Sequence, residues 1–270
     1  MLAQIGIIES QFDYDAINFC SAAGITDQTH VLALQYLVSN LKIQGLWSKC
    51  NAIYPIVGGT ATTHKFNLKD PRDINAAYRL TYVGSAWTHD ANGMLPLQGF
   101  SYANTNLTAN TLSNTSNHLS IYSNFNDTSN TGDAPLITGA QQNSYANRID
   151  MGIYFNNAGT LISFFTSGAG GTQVSFTDTS MLGLYTGTRT SSTRNDIYKN
   201  STSRANSTGT NSAAMPTNNI ILGGWNVDSG VRYGYRRIAF ASIGSGLSST
   251  DVSNLYTIVQ QYQTILSRNV

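Results

Sequence analysis

Acid–base cleavage of a glycosidic bond needs two carboxylates facing each other across a sugar, one held protonated and the other ionised. The chain has a single glutamate, Glu9. Apart from the Asp13/Asp15 and Asp70/Asp73 pairs its aspartates are scattered singly, and no Glu-x-Asp-x-x-Glu strand motif occurs, so the sequence argues against a glycosidase. Nucleophilic catalysis fares no better, because none of the four histidines (His30, His64, His89, His118) lies in a Gly-x-Ser-x-Gly or other nucleophile setting. His30 reads as a helix residue, and His118 at a strand start reads as a surface or satisfied structural histidine. No zinc-type ligand cluster is present, and Gly168, Gly170 and Gly171 do not sit in a strand-to-helix phosphate loop. Calcium stays open: Asp127 and Asp133 are suitable loop oxygens, at a spacing that matches no defined calcium loop.

Aromatic residues are the remaining chemical asset. Trp225, Tyr233 and Tyr235 flank the polar turn Asn226-Val227-Asp228-Ser229-Gly230. Sugar sites pair an apolar platform with a few placed polar groups, which makes Trp225, Asp228, Tyr233 and Tyr235 the candidate ligand-binding residues. The competing reading turns these rings into the core or a sheet edge. Trp87, His89 and Asp90 raise the same question.

The stretch Thr63-His64-Lys65-Phe66-Asn67-Leu68-Lys69-Asp70-Pro71-Arg72-Asp73 poses a different one. Lys65, Lys69, Asp70, Arg72 and Asp73 stand within eleven positions of a chain in which only 11% of residues are charged. Pro71 forces an extended or turning backbone. The segment therefore reads as a joint, whose charges pair locally and fix the angle between the parts on either side.

Those parts differ in texture. Phe12, Ala16, Phe19 and Ala23 fall at helical spacing before Gly24. Thr26 or Asp27 can cap a second helix with Val31, Leu34, Val38 and Leu41 on one face, ending at Gly45. Leu46, Trp47, Cys50 and Ile53 suggest a short third turn before Pro55. From Tyr78 onward come short β-prone runs: 78–83, 118–123, 149–155, 160–166, 181–186, 195–199, 219–222 and 237–243, several alternating with period two. Eight or more such strands without intervening helices predict an antiparallel jelly-roll sandwich. Two runs rich in Ser, Thr, Asn and Ala, 105–117 and 201–216, read as exposed loops or irregular edge segments. Asn-x-Ser/Thr triplets at Asn106, Asn114, Asn126, Asn200 and Asn206 arise by chance in such a composition. Ser248 with Asp251 resembles a capping box, opening a final helix with the stripe Val252, Leu255, Val259, Tyr262 and Leu266. The predicted organisation is a helical segment over 1–60, the charged joint over 61–77, the sandwich over 78–247 and a closing helix over 248–270 that packs with the N-terminal part.

Composition limits the partners. A net charge of +1 without a long basic run leaves no electrostatic footprint for nucleic acid or for an anionic membrane. No apolar stretch approaches the roughly 20 residues of a membrane-spanning helix, and the start does not read as a secretory signal. The chain is expected to be soluble and made in the cytoplasm. Cys20 and Cys50 are too few for a disulfide framework and read as buried thiols. Ser, Thr and Asn supply about a third of the chain, so the surface is rich in hydroxyls and amides.

Two blocks carry a resemblance. Asp196-Ile197-Tyr198-Lys199-Asn200, Asn219-Ile220-Ile221-Leu222-Gly223-Gly224, Arg237-Ile238-Ala239-Phe240-Ala241-Ser242-Ile243-Gly244 and Leu247-Ser248-Ser249-Thr250-Asp251 resemble the strand motifs and final helix opening of concanavalin A-like or laminin-G-like jelly rolls, with Ser201 where a glycine is usual. The N-terminal block from Leu46-Trp47 through Ala52-Ile53-Tyr54-Pro55-Ile56-Val57-Gly58-Gly59-Thr60 to Asp73 resembles a structural virion protein of tailed phages, the crAss-like phages and relatives infecting Bacteroidota. The resemblance implies a mainly β, concanavalin A-like jelly roll framed by terminal helices and working without catalysis in a virion, on capsid or tail. Other virion proteins and further copies of itself are the implied partners. Host or mucosal glycans are a second expected partner, held by multivalent weak contacts. The alternatives are a dedicated carbohydrate- or receptor-binding module and, against the single glutamate, a glycan-degrading enzyme. Fold likeness alone cannot choose among them.

Overall fold

The computed structural model describes residues 12–97, 101–126, 136–142, 147–156, 159–166, 173–209 and 213–270. Helix α1 (Tyr14–Ala23) opens where the Asp13 carboxylate accepts the Asp15 amide at 2.9 Å. It closes at Gly24, whose φ of 67° suits glycine. Asp27, not Thr26, caps α2 (Gln28–Ile43), accepting the His30 amide at 3.0 Å. The single turn α3 (Ala61–His64) carries a Thr60/Thr63 capping box, and α4 (Ser249–Ile265) carries one made by Ser248 and Asp251.

The β body is an antiparallel jelly-roll sandwich of two sheets. The smaller runs β1 (Cys50–Tyr54), β17 (Phe240–Gly244), β6 (Asn117–Ser123), β11 (Gly183–Ser191), β12 (Arg194–Lys199), β13 (Thr202–Ser207). The larger runs β10 (Val174–Asp178), β9 (Gly159–Thr166), β8 (Asn147–Asn156), β7 (Leu136–Gln142), β14 (Asn219–Leu222), β5 (Tyr102–Thr108), β2 (Thr81–Val83), and a hairpin of β15 (Gly224–Val227) and β16 (Gly230–Tyr233) attaches to β7. A separate hairpin, β3 (Trp87–Asp90) and β4 (Gly93–Pro96), joins the body through backbone bonds between Met94 and Ile238.

Period-two alternation divides the smaller sheet between two cores. Leu119, Ile121, Tyr185, Ile197, Ala241 and Ile243 face the larger sheet, where they meet Ala103, Leu107, Ile149, Met151 and Leu222. Their neighbours Ile53, Tyr122, Leu184, Tyr198 and Phe240 point the opposite way, into the stripes of Phe19 on α1, Leu34 and Leu41 on α2, and Leu255, Val259 and Tyr262 on α4. Tyr262 also donates to the Pro55 carbonyl at 3.0 Å. The final turn is held by Arg268. It is buried, and its guanidinium donates to the carbonyls of Pro55, Ile56, Ala91 and Ala239 and to the Gln263 side chain at 2.6–3.2 Å.

Several expectations need correction. The third helical turn stops at Lys49, and Cys50–Tyr54 is strand β1, paired to β17. The helical spacing of Trp47, Cys50 and Ile53 arises because a bulge between Cys50 and Ala52 puts Cys50 and Ile53 in the same core. The run at 78–83 supplies a strand only from Thr81, since Tyr78 takes a left-handed φ of 59°. Within 105–117, residues through Thr108 belong to β5, whose Ala103, Thr105 and Leu107 are buried. Asp127, Asp133, Gly168, Gly170 and Gly171 lie outside the described residues.

Candidate functional site

The helices cover the outer side of the smaller sheet, so the sheet surface open to a ligand is that of the larger one. Residues alternating with the buried Ala103 and Leu107 of β5, namely Tyr102, Asn104, Asn106 and Thr108, are half-buried on that outward side. On β8, Arg148 and Asp150 alternate with core residues Ile149 and Met151 and take the outward side too. The β15–β16 hairpin covers this pair. Trp225 is only 5% exposed, and the Arg148 guanidinium lies 4.3 Å from its ring centroid. Arg148 makes a bidentate pair with the fully buried Asp150, the Nη2–Oδ1 bond being 3.0 Å. Burial pushes the Asp150 carboxyl up, and Arg148 opposes this. Gly139 makes the fit possible: a Cβ there would stand 2.3 Å from the Asp150 Cβ.

The Tyr102 and Tyr233 rings, both half-buried, meet at 6.2 Å between centroids with an interplanar angle of 44°. Arg232 pairs across the hairpin with Trp225 and sits 5.9 Å from its ring, with the guanidinium on the exposed strand. Asp228 is exposed at the hairpin tip and Tyr235 is half-buried beyond β16. Of the four sequence candidates, Asp228 is exposed, Tyr233 and Tyr235 are half-buried, and Trp225 is buried. The Trp225 indole is buried against Arg148, as the competing core reading has it. Tyr102, Arg148, Asp150 and Arg232 were not anticipated. The alternation Arg148-Ile149-Asp150-Met151 was the available signal for the ion pair.

Trp87, His89 and Asp90 form a second aromatic group on the β3–β4 hairpin. Trp87 stacks on His89 at 5.6 Å, and Tyr82 meets both rings edge-on. The buried His64 accepts the Gly59 amide at Nε2 (3.1 Å) and faces His89 Nδ1 from its own Nδ1 at 3.0 Å. With Nε2 accepting, the His64 proton belongs on Nδ1 and is donated to His89. Burial, then the neighbouring His89 and Arg268, lower the His64 pKa to about 3. Asp90 pairs with Arg237 at 2.5 Å. His118 is buried likewise, with Nδ1 at 2.6 Å from the Ser245 carbonyl and Nε2 at 3.1 Å from the Ser242 hydroxyl. His64 and His118 each carry internal hydrogen bonds on both ring nitrogens. Among the described residues no group of three or more His, Cys, Asp or Glu could hold a metal.

The charged stretch is knitted into its surroundings. Lys65 and Arg79 both pair with Asp73, at 2.6 and 2.7 Å, and Arg72 pairs with Asp70 at 2.5 Å. Lys69 reaches the Trp47 carbonyl at 2.7 Å, with its ammonium 4.2 Å from the indole centroid. Buried Asn67 links the Ile53 amide and the Ala77 carbonyl, while Phe66 and Leu68 enter the helix-side core.

No protein-family model matches the chain, and no curated protein matches it. Solved structures do. The receptor binding domain of botulinum neurotoxin D is 12% identical, with 78% of this chain and 53% of that one covered and a TM-score of 0.53. The binding domain of botulinum neurotoxin DC in complex with SialylT is 11% identical over 79% of this chain and 52% of that one, at a TM-score of 0.50. Domain 4 of AbnA, a GH43 extracellular arabinanase from Geobacillus stearothermophilus, is 15% identical over 77% and 98%, at a TM-score of 0.45. The chain thus spans about half the length of the neurotoxin binding domains it resembles. At these identities the likeness to them establishes the β-sandwich fold alone.

Proposed function

We propose that this chain is a non-enzymatic, glycan-binding β-sandwich module, displayed on a tailed-phage virion, whose contact surface is the outward side of the larger sheet around the β15–β16 hairpin. The observation that carries the reading is the half-buried Tyr102/Tyr233 ring pair, on a hairpin whose Trp225 is anchored on the buried Arg148–Asp150 pair. Such an arrangement offers a sugar ring an apolar face and hydrogen-bonding groups held in place by rigid elements. The described histidines and the single glutamate supply no acid–base pair, which favours binding over cleavage. Binding domains among the sandwiches of similar fold, one in complex with SialylT, are in keeping with this reading.

The test is an array of bacterial and mucosal glycans probed with the full chain. Tyr233→Ala and Tyr102→Ala should each weaken the captured glycan about tenfold, about 1.4 kcal/mol, with the melting temperature essentially kept. Undiminished binding by both variants would remove this surface from consideration. The virion setting is tested separately by mass spectrometry of gradient-purified particles: a fixed copy number relative to the major capsid protein supports it, and absence from particles refutes it.

A further inference from the structure

We infer that the contact between His64 and His89 is a pH-sensitive latch: protonation of His89 breaks its hydrogen bond to His64 and reorders the ring group of Tyr82, Trp87 and His89, which abuts the root of the β15–β16 hairpin. His64 closes the single turn α3, is 1% exposed and is fixed at both ring nitrogens. Its Nε2 accepts the Gly59 amide at 3.1 Å, so its one proton stands on Nδ1 and points at His89 Nδ1, 3.0 Å away. His89, near the end of β3, is therefore the acceptor and carries its own proton on Nε2. A metal ion between the two Nδ1 atoms would need a lone pair from each and would move the His64 proton to Nε2, against the Gly59 N–H. The pair holds a proton, not a metal.

This geometry tolerates one proton on the two facing atoms and not two. When His89 takes a proton from solvent onto Nδ1, two N–H groups face each other and the bond is lost. His64 cannot accept in return, because a proton moved to its Nε2 would meet the Gly59 amide. The first proton lands on His89, which is half-buried where His64 is sealed. Asp90, the next residue, favours the imidazolium, although Arg237 ahead of β17 pairs with that carboxylate at 2.5 Å. Arg268 in the last turn donates to the Ala91 carbonyl at 3.2 Å and opposes a cation on His64. Tyr82 on β2 meets His89 as a neutral ring, and β4 opposite has no titratable side chain. Burial outweighs Asp90 and lowers the His89 pKa, so the latch opens below the ordinary histidine value of about 6.5.

What the latch moves follows from its contacts. Trp87 stacks on His89 with 5.6 Å between centroids and 28° between planes, and Tyr82 meets His89 edge-on at 4.7 Å. The β3–β4 hairpin itself is held by backbone bonds between Met94 and Ile238, by the Asp90–Arg237 pair and by Arg268. The His89 ring therefore swings while the strands stay, and Trp87 and Tyr82 lose the ring between them and His64. The far edge of Trp87 lies against Gly223, where a Cβ would stand 3.5 Å from Cη2. Gly223 precedes β15, and its carbonyl accepts the amide of Gly234, just after β16, at 2.8 Å. Tyr82 in turn lies opposite Ala103 on β5, one position from Tyr102. The ring group thus joins the latch to both strands that carry the Tyr102/Tyr233 pair, and this coupling holds whatever that surface binds.

The test is NMR of the isotopically labelled full chain, titrated downward from about pH 7.5 to about pH 4.5 across the histidine range. At neutral pH the imidazole spectra should show the Nδ1–H tautomer for His64 and the Nε2–H tautomer for His89. As pH falls, both ring nitrogens of His89 should move to imidazolium positions while those of His64 stay. The Trp87 indole N–H and the Gly223 and Gly234 amides should shift with the same midpoint. His89→Asn, whose side-chain oxygen can accept near the Nδ1 position without titrating, should keep the His64 tautomer and remove the pH-dependent shifts at Trp87 and Gly223. Four results would each overturn the latch: reversed tautomers at neutral pH, a His89 that stays neutral until the chain unfolds, a His89 titration that leaves Trp87 and Gly223 unmoved, or shifts at those residues that persist in His89→Asn.

Discussion

The two sheets treat their polar residues in opposite ways. Every residue of β6 and β17 is buried, because the smaller sheet stands between two cores. Its polar side chains are closed off in short internal bonds: Ser120 to Thr186 at 3.0 Å, Thr188 to the Leu247 carbonyl at 3.1 Å, His118 to Ser242 and Ser245. The larger sheet has one core face, and along β5 its outward side offers half-buried Tyr, Asn and Thr. The difference separates support from contact. A polar group sealed on both sides must find its partner within the chain, so substitutions in the smaller sheet are felt by the whole fold. On the larger sheet a tyrosine can change and alter only what is touched.

The largest expected effect falls on the sealed side. Arg268 is a buried cation with no carboxylate in salt-bridge contact among the described residues, held by four backbone carbonyls and Gln263. Burial lowers its pKa, which marks how little solvent reaches it. Arg268→Met leaves those carbonyls unsatisfied and unties the last turn of α4 from the loop at Pro55–Ile56. It should cost on the order of 4 kcal/mol in denaturant unfolding. If the loss is no greater than that of Tyr233→Ala, the contrast between the sheets is wrong.

An intermediate effect should come from pH. Burial lowers the pKa of His118 to about 4 and of His64 to about 3, against 6.5 for the unfolded groups. Each folded value is depressed, so the stabilising difference is fully present above pH 6.5 and is lost as pH falls toward 4 and 3. At pH 5 each histidine should have withdrawn about 2 kcal/mol relative to pH 7. Unfolding free energies measured between pH 7 and 5 should fall accordingly, and His118→Gln should flatten about half of the slope. A slope unchanged in that variant would show that His118 is not held neutral by its burial.

How much of this was legible depended on how each residue hides or shows its face. The three long helices were readable from capping residues and apolar stripes, because Asp27, Ser248 and Gly24 act within one turn of where they stand. Strand β1 was not, since a strand buried on both faces shows no alternation and its bulge imitates a helical period. Strand β5 hid for another reason: its inward residues are small or hydroxylated, and Thr105 resolves its polarity by donating to the Ile220 carbonyl at 2.6 Å. At the candidate site, the sequence marked the hairpin from its turn residues but left open whether its aromatics face the core or the solvent, and Trp225 faces the core. Local spacing carries no information about Arg148, 77 positions away, which lies against Trp225. The His64–His89 contact likewise exists only through the meeting of α3 with a distant hairpin.

The smallest effect concerns the charged joint, where its pairs can be ranked against one another. Asp70 and Arg72 sit two residues apart in one turn, and the arginine side chain is 66% exposed. A bond that local orders its own turn and cannot set an angle between distant elements, so Arg72→Ala should leave the melting temperature unchanged. Asp73 instead gathers Lys65, from the end of α3, and Arg79, from the approach to β2. Asp73→Ala releases both, yet the carboxylate is half-exposed and solvent screens it. The loss should stay below about 1 kcal/mol and shrink in high salt. Buried Asn67, with Phe66 and Leu68 beside it in the helix-side core, then carries most of the joint's rigidity. Should Asp73→Ala cost more than Asn67→Ala, the charges rather than the buried amide set the angle between the helices and the sandwich.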